Sequence, residues 1–248
     1  MKLNPNKRIG KVLYLVEGDV DEVTILEWVF NRLLKYTTVT YDKRLDGVTC
    51  LINERDKYSK VFLVPMKYSA VSKIESSSDY ADCVYKRLKS FGLEKDECVK
   101  YFVFDRDEGS NSSEMLMHLF TIFKNSLDND LDINGLMLIS YPCVQSFVCE
   151  CFKDETCLSS SELMKRYSKC HEIKDIDEQR LIDGAEQMMA KVLKIIGQTV
   201  FDLNNLDDMQ SINSEILKYQ DNHFANKHVY YTLSMLFVSF IDLGIIEC

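Results

Sequence analysis

The chain has 248 residues, a formal net charge of −9 and 46% hydrophobic residues. That length suits one large α/β domain or a domain with a helical extension, and the hydrophobic share supports a real core. The negative balance excludes a surface that is basic throughout, so a polynucleotide would have to be held by a local basic patch, a metal or a partner. Nine cysteines, an odd number with no disulfide-framework rhythm, point to reduced thiols and a cytoplasmic location. The polar stretch Met1 to Arg8 leads into no uncharged signal-peptide core. Val229 to Ile246 is strongly apolar but contains Asp242 and barely reaches the length of a membrane span. A buried C-terminal helix is expected there, and no membrane partner.

Lys11 to Val16 is a β-branched and aromatic run that reads as a strand. A glycine turn follows, then a helix over Val20 to Leu34, whose stripe includes Val23, Leu26, Phe30 and Leu33. Asp19 or Asp21 is placed to cap that helix. Tyr36 to Tyr41 and Lys60 to Pro65 read as strands, and Ser76 to Phe91 as a helix closed by Gly92. Cys98 to Phe104 is a further strand, followed by an acidic loop to Ser113 and a helix over Glu114 to Leu127. In that helix Leu116, Leu119, Phe120, Ile122 and Phe123 face inward, and His118 is expected in the core or at its boundary. Leu136 to Ser140 is an apolar strand, and Tyr141-Pro142 marks the turn before a short helix over Val144 to Phe152. Beyond this the strand signals fade. Ser159 to Ser168, Glu178 to Gly197, Met209 to Tyr219 and His228 to Ile241 read as helices. The pattern predicts a largely parallel sheet with helices on both faces over 1–155 and a helical region over 156–248.

Two of the strands end in carboxylates. Val16 runs into Glu17-Gly18-Asp19-Val20-Asp21-Glu22, and Phe104 into Asp105-Arg106-Asp107-Glu108. Like charges in one cleft repel and lose hydration, a penalty that a divalent cation removes. If the two strands are neighbours, Glu17, Asp105 and Asp107 converge where hard oxygen ligands suit Mg²⁺ or Mn²⁺. In parallel sheets functional groups gather at the carboxyl ends of strands, where Ser140 also lies.

The paired segments Val16-Glu17-Gly18-Asp19-Val20-Asp21 and Phe104-Asp105-Arg106-Asp107 resemble the TOPRIM (topoisomerase–primase) domain. Ser140-Tyr141-Pro142-Cys143-Val144-Gln145-Ser146-Phe147 is similar to the Ser-Asn-Pro-x-Phe-Glu-x-Trp segment of RloB-like TOPRIM proteins. Those proteins are associated with bacterial restriction and anti-phage loci; TOPRIM subunits that work beside an ABC-type ATPase are the second comparison. The resemblance covers about the first 155 residues. It departs at Tyr141, where the family has Asn, and at Gln145, where it has Glu. Gln145 can orient a water or a phosphate oxygen but supplies no charge.

The resemblance implies a TOPRIM-like α/β fold and a metal-dependent nuclease acting on DNA or RNA, tRNA included, in antiviral defence. Glu17 would be a metal ligand or general base, and Asp105 and Asp107 would be metal ligands. Asp21, Glu108, Ser140 and Gln145 would support them, and Gly18 would permit a tight approach of strand end and helix. An ABC-type ATPase partner would control access, and the chain is expected to be able to form a homo-oligomer. Gln145 motivates an alternative: a non-catalytic TOPRIM-like sensor or scaffold that binds an ATPase or a phage protein. A primase-like nucleotidyl transferase is a third reading.

Other motifs have plainer explanations. Cys149 and Cys151 sit in a predicted helix, where residues two apart face different ways, so with Cys157 and Cys170-His171 they read as packed thiols rather than zinc ligands. His223 and His228 are spaced wrongly for a helical metal pair. Lys86, Arg87 and Lys89 read as a solvated helix face, Arg106 as a structural residue. Tyr230 and Tyr231 lack the surroundings that a topoisomerase nucleophile needs.

Overall fold

The structure is a computed structural model that describes residues 1–18, 20–39, 48–65, 89, 98–106, 112–126, 135–153, 157–167, 173–199 and 209–247. The chain begins with strands β1 (Lys2–Leu3) and β2 (Lys11–Val16), then helix α1 (Asp21–Trp28), which runs into a π-helical turn over Val29–Leu33. Strands β3 (Tyr36–Thr38), β4 (Thr49–Asn53), β5 (Lys60–Pro65) and β6 (Cys98–Asp105) precede helix α2 (Ser113–Ile122). Next come β7 (Lys124–Asn125), β8 (Gly135–Tyr141), α3 (Gln145–Cys151), α4 (Ser160–Tyr167), α5 (Glu178–Ile196) and α6 (Met209–Lys227). The chain closes with β9 (Leu233–Ser234), α7 (Leu236–Asp242) and β10 (Ile246–Glu247). The predicted helix over Ser76 to Phe91, with Lys86 and Arg87, lies outside the described residues; Lys89 is exposed.

The protein is a mixed α/β chain with a central sheet ordered β3-β4-β5-β2-β6-β8-β7, with β9 added to β8. Its centre is parallel, as expected: β2 pairs in parallel with β5 on one side and β6 on the other. Antiparallel strands extend it, because β3 pairs with β4, β4 with β5, and β7 with β8.

The chain divides into two compact units. One comprises Arg8–Val103 and Glu114–Met137. Here Val12 to Val16 of β2 are all buried, as an uninterrupted apolar run requires when both faces are covered. Tyr14 stacks on Tyr101 of β6 at 5.1 Å and meets Phe30 edge-on at 6.1 Å. On α2 the buried residues are Leu116, Leu119 and Phe120, with Phe123 just beyond. His118 therefore falls on the opposite, exposed side, which corrects its expected core position. The helix stops at Ile122, short of the expected Leu127, because Lys124–Asn125 pairs with β8.

The other unit comprises Met1–Lys7, Phe104–Ser113 and Leu138–Cys248. Helix α3 is buried throughout and packs on α5. A Cβ at Gly184 of α5 would stand 2.6 Å from Phe237 and 3.1 Å from the Cys151 backbone, so only glycine lets the two helices meet. Helix α5 matches its expected span, capped by the Asp177 carboxylate, which accepts from the Arg180 amide at 2.9 Å. The apolar C-terminal stretch is not one helix. α6 runs to Lys227, His228 takes φ 57°, and the chain then extends, so that Leu233–Ser234 pairs with Ser140–Tyr141 of β8 before α7. Among the described residues no helix is long and apolar enough to cross a membrane.

A buried contact between Glu150 and Lys191 ties this unit together. Lys191 Nζ of α5 lies 3.5 Å from Glu150 Oε1 of α3 and donates to the Thr232 carbonyl at 2.6 Å. The Ser234 amide donates to the same carboxylate at 3.3 Å. Burial pushes the Glu150 carboxyl up to about 8 from its ordinary 4.5, with Lys191 opposing the rise. The folded state therefore holds this proton more tightly than the unfolded chain does. The stability this contributes is full below about 4.5 and is lost as pH rises to about 8. Urea unfolding of wild type against Glu150→Gln tests this: the wild type should lose ground to the variant between about pH 5 and about pH 8. A difference independent of pH contradicts it.

Candidate metal centre at the strand ends

The first motif is built by the end of β2. Val16 is fully buried and Glu17 half-buried, so the strand changes from apolar to acidic within one residue. The Glu17 amide donates to the Val103 carbonyl of β6 at 3.1 Å, carrying the β2–β6 ladder beyond its Val16–Val103 pair. Gly18 then turns the chain towards α1. Its amide donates to Glu22 Oε1 at 3.2 Å, and the Glu22 side chain is buried. A Cβ at Gly18 would stand 2.5 Å from Glu22 Oε2, the tip of a flexible side chain, so a larger residue here would displace Glu22.

The expected cap on α1 differs. The N-cap position is Val20, which makes no side-chain cap bond, and Asp21 is the first helical residue, half-buried. The turn is closed instead by Glu22 reaching back to the Gly18 amide. Sequence reasoning gave Glu22 no role. The spacing Asp19-x-x-Glu22, that of a capping box, was the available signal. Asp19 lies outside the described residues.

The second motif ends β6. Asp105 is the last strand residue and is half-buried. Asp107 and Glu108 lie outside the described residues. Between them Arg106 is buried and structural, as expected. Its amide donates to the Ser140 carbonyl at 2.9 Å. Its Nη2 donates to Ser113 Oγ at 3.0 Å and to Asp221 Oδ1 at 3.2 Å, and its guanidinium lies 5.8 Å from the Tyr230 ring centre.

The third segment is interior. Ser140 is fully buried, its hydroxyl 2.9 Å from that of Ser234. A cis Tyr141–Pro142 peptide follows, and the Ser146 hydroxyl donates to the Tyr141 carbonyl at 2.7 Å. Burial pushes the Tyr141 phenol far above its ordinary range, with Arg106 opposing. Gln145, the first residue of α3, is 4% exposed. Ser140 and Gln145 thus stand as interior supports of this unit.

Glu17 and Asp105 offer hard carboxylate oxygens at strand ends, a donor type that suits Mg²⁺ or Mn²⁺. Among the described residues no group of three or more His, Cys, Asp or Glu side chains is arranged to hold a metal, and Asp107 is not among those residues. The described cysteines follow the packed-thiol expectation in part. Cys149 and Cys151 are buried, whereas Cys157 is exposed; Cys170 and His171 lie outside the described residues.

The Gly18–Glu22 contact is open to a double-mutant cycle. Gly18→Ala should cost about 1 kcal/mol in urea unfolding by driving Glu22 off the Gly18 amide. In a Glu22→Ala background the same change should cost less, and equal costs in both backgrounds would remove the contact from the account. No protein-family model, no curated protein and no solved structure matches the chain.

Proposed function

We propose that the chain is a Mg²⁺- or Mn²⁺-dependent TOPRIM-like nuclease that hydrolyses phosphodiester bonds of DNA or RNA, with Glu17, Asp105 and Asp107 holding the ion. The observation that carries this reading is the parallel pairing of β2 with β6, in which the Glu17 amide bonds to Val103, two residues before Asp105. When bound, the ion supplies Lewis-acid stabilisation of the charge that develops on phosphate. Glu17 is also the general base in this proposal, taking the proton of the attacking water. Gly18 and Glu22 fix the turn that presents Glu17, while Asp21 and Glu108 add negative potential around the ion. Arg106, engaged by Asp221 and Ser113, anchors the end of β6. The net charge of −9 motivates the rest of the proposal: an ABC-type ATPase partner that governs access of nucleic acid, in a defence role.

Incubation of DNA and tRNA with the protein and Mg²⁺ or Mn²⁺ tests the reading. Glu17→Gln and Asp105→Ala should each lower cleavage by about two orders of magnitude, the scale on which one charge-stabilising group acts. Cleavage unchanged by both substitutions would refute the assignment.

One observation favours a second reading. Gln145, which stands where the compared segment has Glu, is buried and carries no charge. A TOPRIM-like scaffold that binds an ATPase or a phage protein without cutting would need no charge there. A stable complex with such a partner, together with no Mn²⁺ binding in calorimetry, supports this alternative over the nuclease.

A further inference from the structure

Cys157 differs from the other described cysteines. Cys50, Cys98, Cys143, Cys149 and Cys151 are buried, whereas Cys157 is exposed. Its Sγ lies 3.8 Å from Nε2 of His223 on α6. The other ring nitrogen, Nδ1, lies 2.8 Å from the Val229 carbonyl oxygen. A carbonyl only accepts, so in the neutral ring Nδ1 carries the proton and donates it, leaving the Nε2 lone pair for the thiol. The thiol is then the donor and Nε2 the acceptor. This is the order of a nucleophile, a base and a group that orients the base.

The surrounding backbone holds the pair in place. Cys157 forms an isolated antiparallel bridge with Tyr231. Gln220, fully buried and one turn before His223 on α6, grips Tyr231 from both sides of its backbone. Its Nε2 donates to the Tyr231 carbonyl at 2.7 Å, and its Oε1 accepts from the Tyr231 amide at 2.9 Å. One side chain thereby fixes the extended segment that carries both the Val229 carbonyl and the bridge to Cys157. The rings of Tyr219 and Tyr231 lie 6.2 and 6.1 Å from that of His223 and restrict its rotation. Two side chains fall short of a zinc site, which needs three or four, and no third ligand joins them among the described residues.

We propose that Cys157 and His223 form a thiol–disulfide exchange site that takes a low-molecular-weight disulfide, R–S–S–R. His223 Nε2 accepts the thiol proton as Cys157 Sγ attacks one sulfur of the disulfide. The Sγ–S bond forms and the R–S–S–R bond breaks. The departing thiolate takes the proton back from His223 and leaves as R–SH. Cys157 is oxidised to a mixed disulfide and one R–S group is reduced to a thiol, so atoms and electrons balance.

The full chain incubated with glutathione disulfide near pH 7, digested and mapped by mass spectrometry, tests this. The adduct should appear first on Cys157 and form about tenfold more slowly in His223→Gln, through loss of the group that accepts the thiol proton. Equal rates in wild type and His223→Gln, or a first adduct on another cysteine, overturn the proposal. If His223→Gln fails to fold, a synthetic peptide spanning residues 150–165 serves as the reference. Cys157 in the folded protein should then react about tenfold faster than in the peptide, and a rate no faster than the peptide's overturns the proposal equally.

Discussion

The structure depends on one constraint: β2 is paired in parallel on both sides and covered on both faces. Val12 to Val16 are buried, so no position among these five suits a charge. Charge is admitted only where the strand runs out, and Glu17 is the first residue at which it does. In the neighbouring β6 Tyr101 to Phe104 are buried and Asp105 is half-buried, although that strand also carries a buried Lys100. The proposed centre rests on this parallel pairing of β2 with β6. The ladder bond from the Glu17 amide to Val103 fixes the register in which the first motif leaves the sheet.

A different physics holds the unit that contains the C-terminal helices. Its interior carries polar groups that contact one another, Ser140 with Ser234 and Glu150 with Lys191, and the buried Arg106 reaches the half-buried Asp221 and Ser113. Buried polar pairs add little net stability, yet each is costly to break, because a group left without its partner has lost its water as well. Such pairs therefore select one packing among many. Arg106 illustrates the consequence. It follows Asp105 directly, but its charge is drawn towards Asp221 on α6.

The strands that carry the argument were legible because each is a continuous apolar run bounded by a clear stop. Lys11–Val16 and Lys60–Pro65 match residue for residue, and β6 and β8 differ from expectation only at their ends. Helix α5 was legible as Glu178 to Gly197 and ends one residue earlier, at Ile196, with Gly197 as its cap. Helix α6 starts at the expected Met209 and runs on to Lys227; the apolar stretch after it, Val229 to Ile246, was not legible. There apolar residues crowd every face, so period cannot separate helix from strand, and the deciding factor is β8, nearly a hundred residues earlier, which recruits Leu233–Ser234. The short strand β4 was missed for a related reason: Thr49–Asn53 is placed by antiparallel pairing with β5 rather than by a strong local pattern. Glu22 was quoted in the acidic turn, but its burial against Gly18 is a property of the folded turn. The candidate centre itself was legible as residue types at strand ends, and its third carboxylate, Asp107, lies outside the described residues.

The central proposal is that Glu17, Asp105 and Asp107 share a divalent cation. A crystal of the protein grown with Mn²⁺, with diffraction collected for anomalous scattering, tests it most directly. The account predicts an anomalous peak coordinated by carboxylate oxygens of those three residues. A peak bound elsewhere, or three carboxylates that share no ion at saturating Mn²⁺, would contradict it.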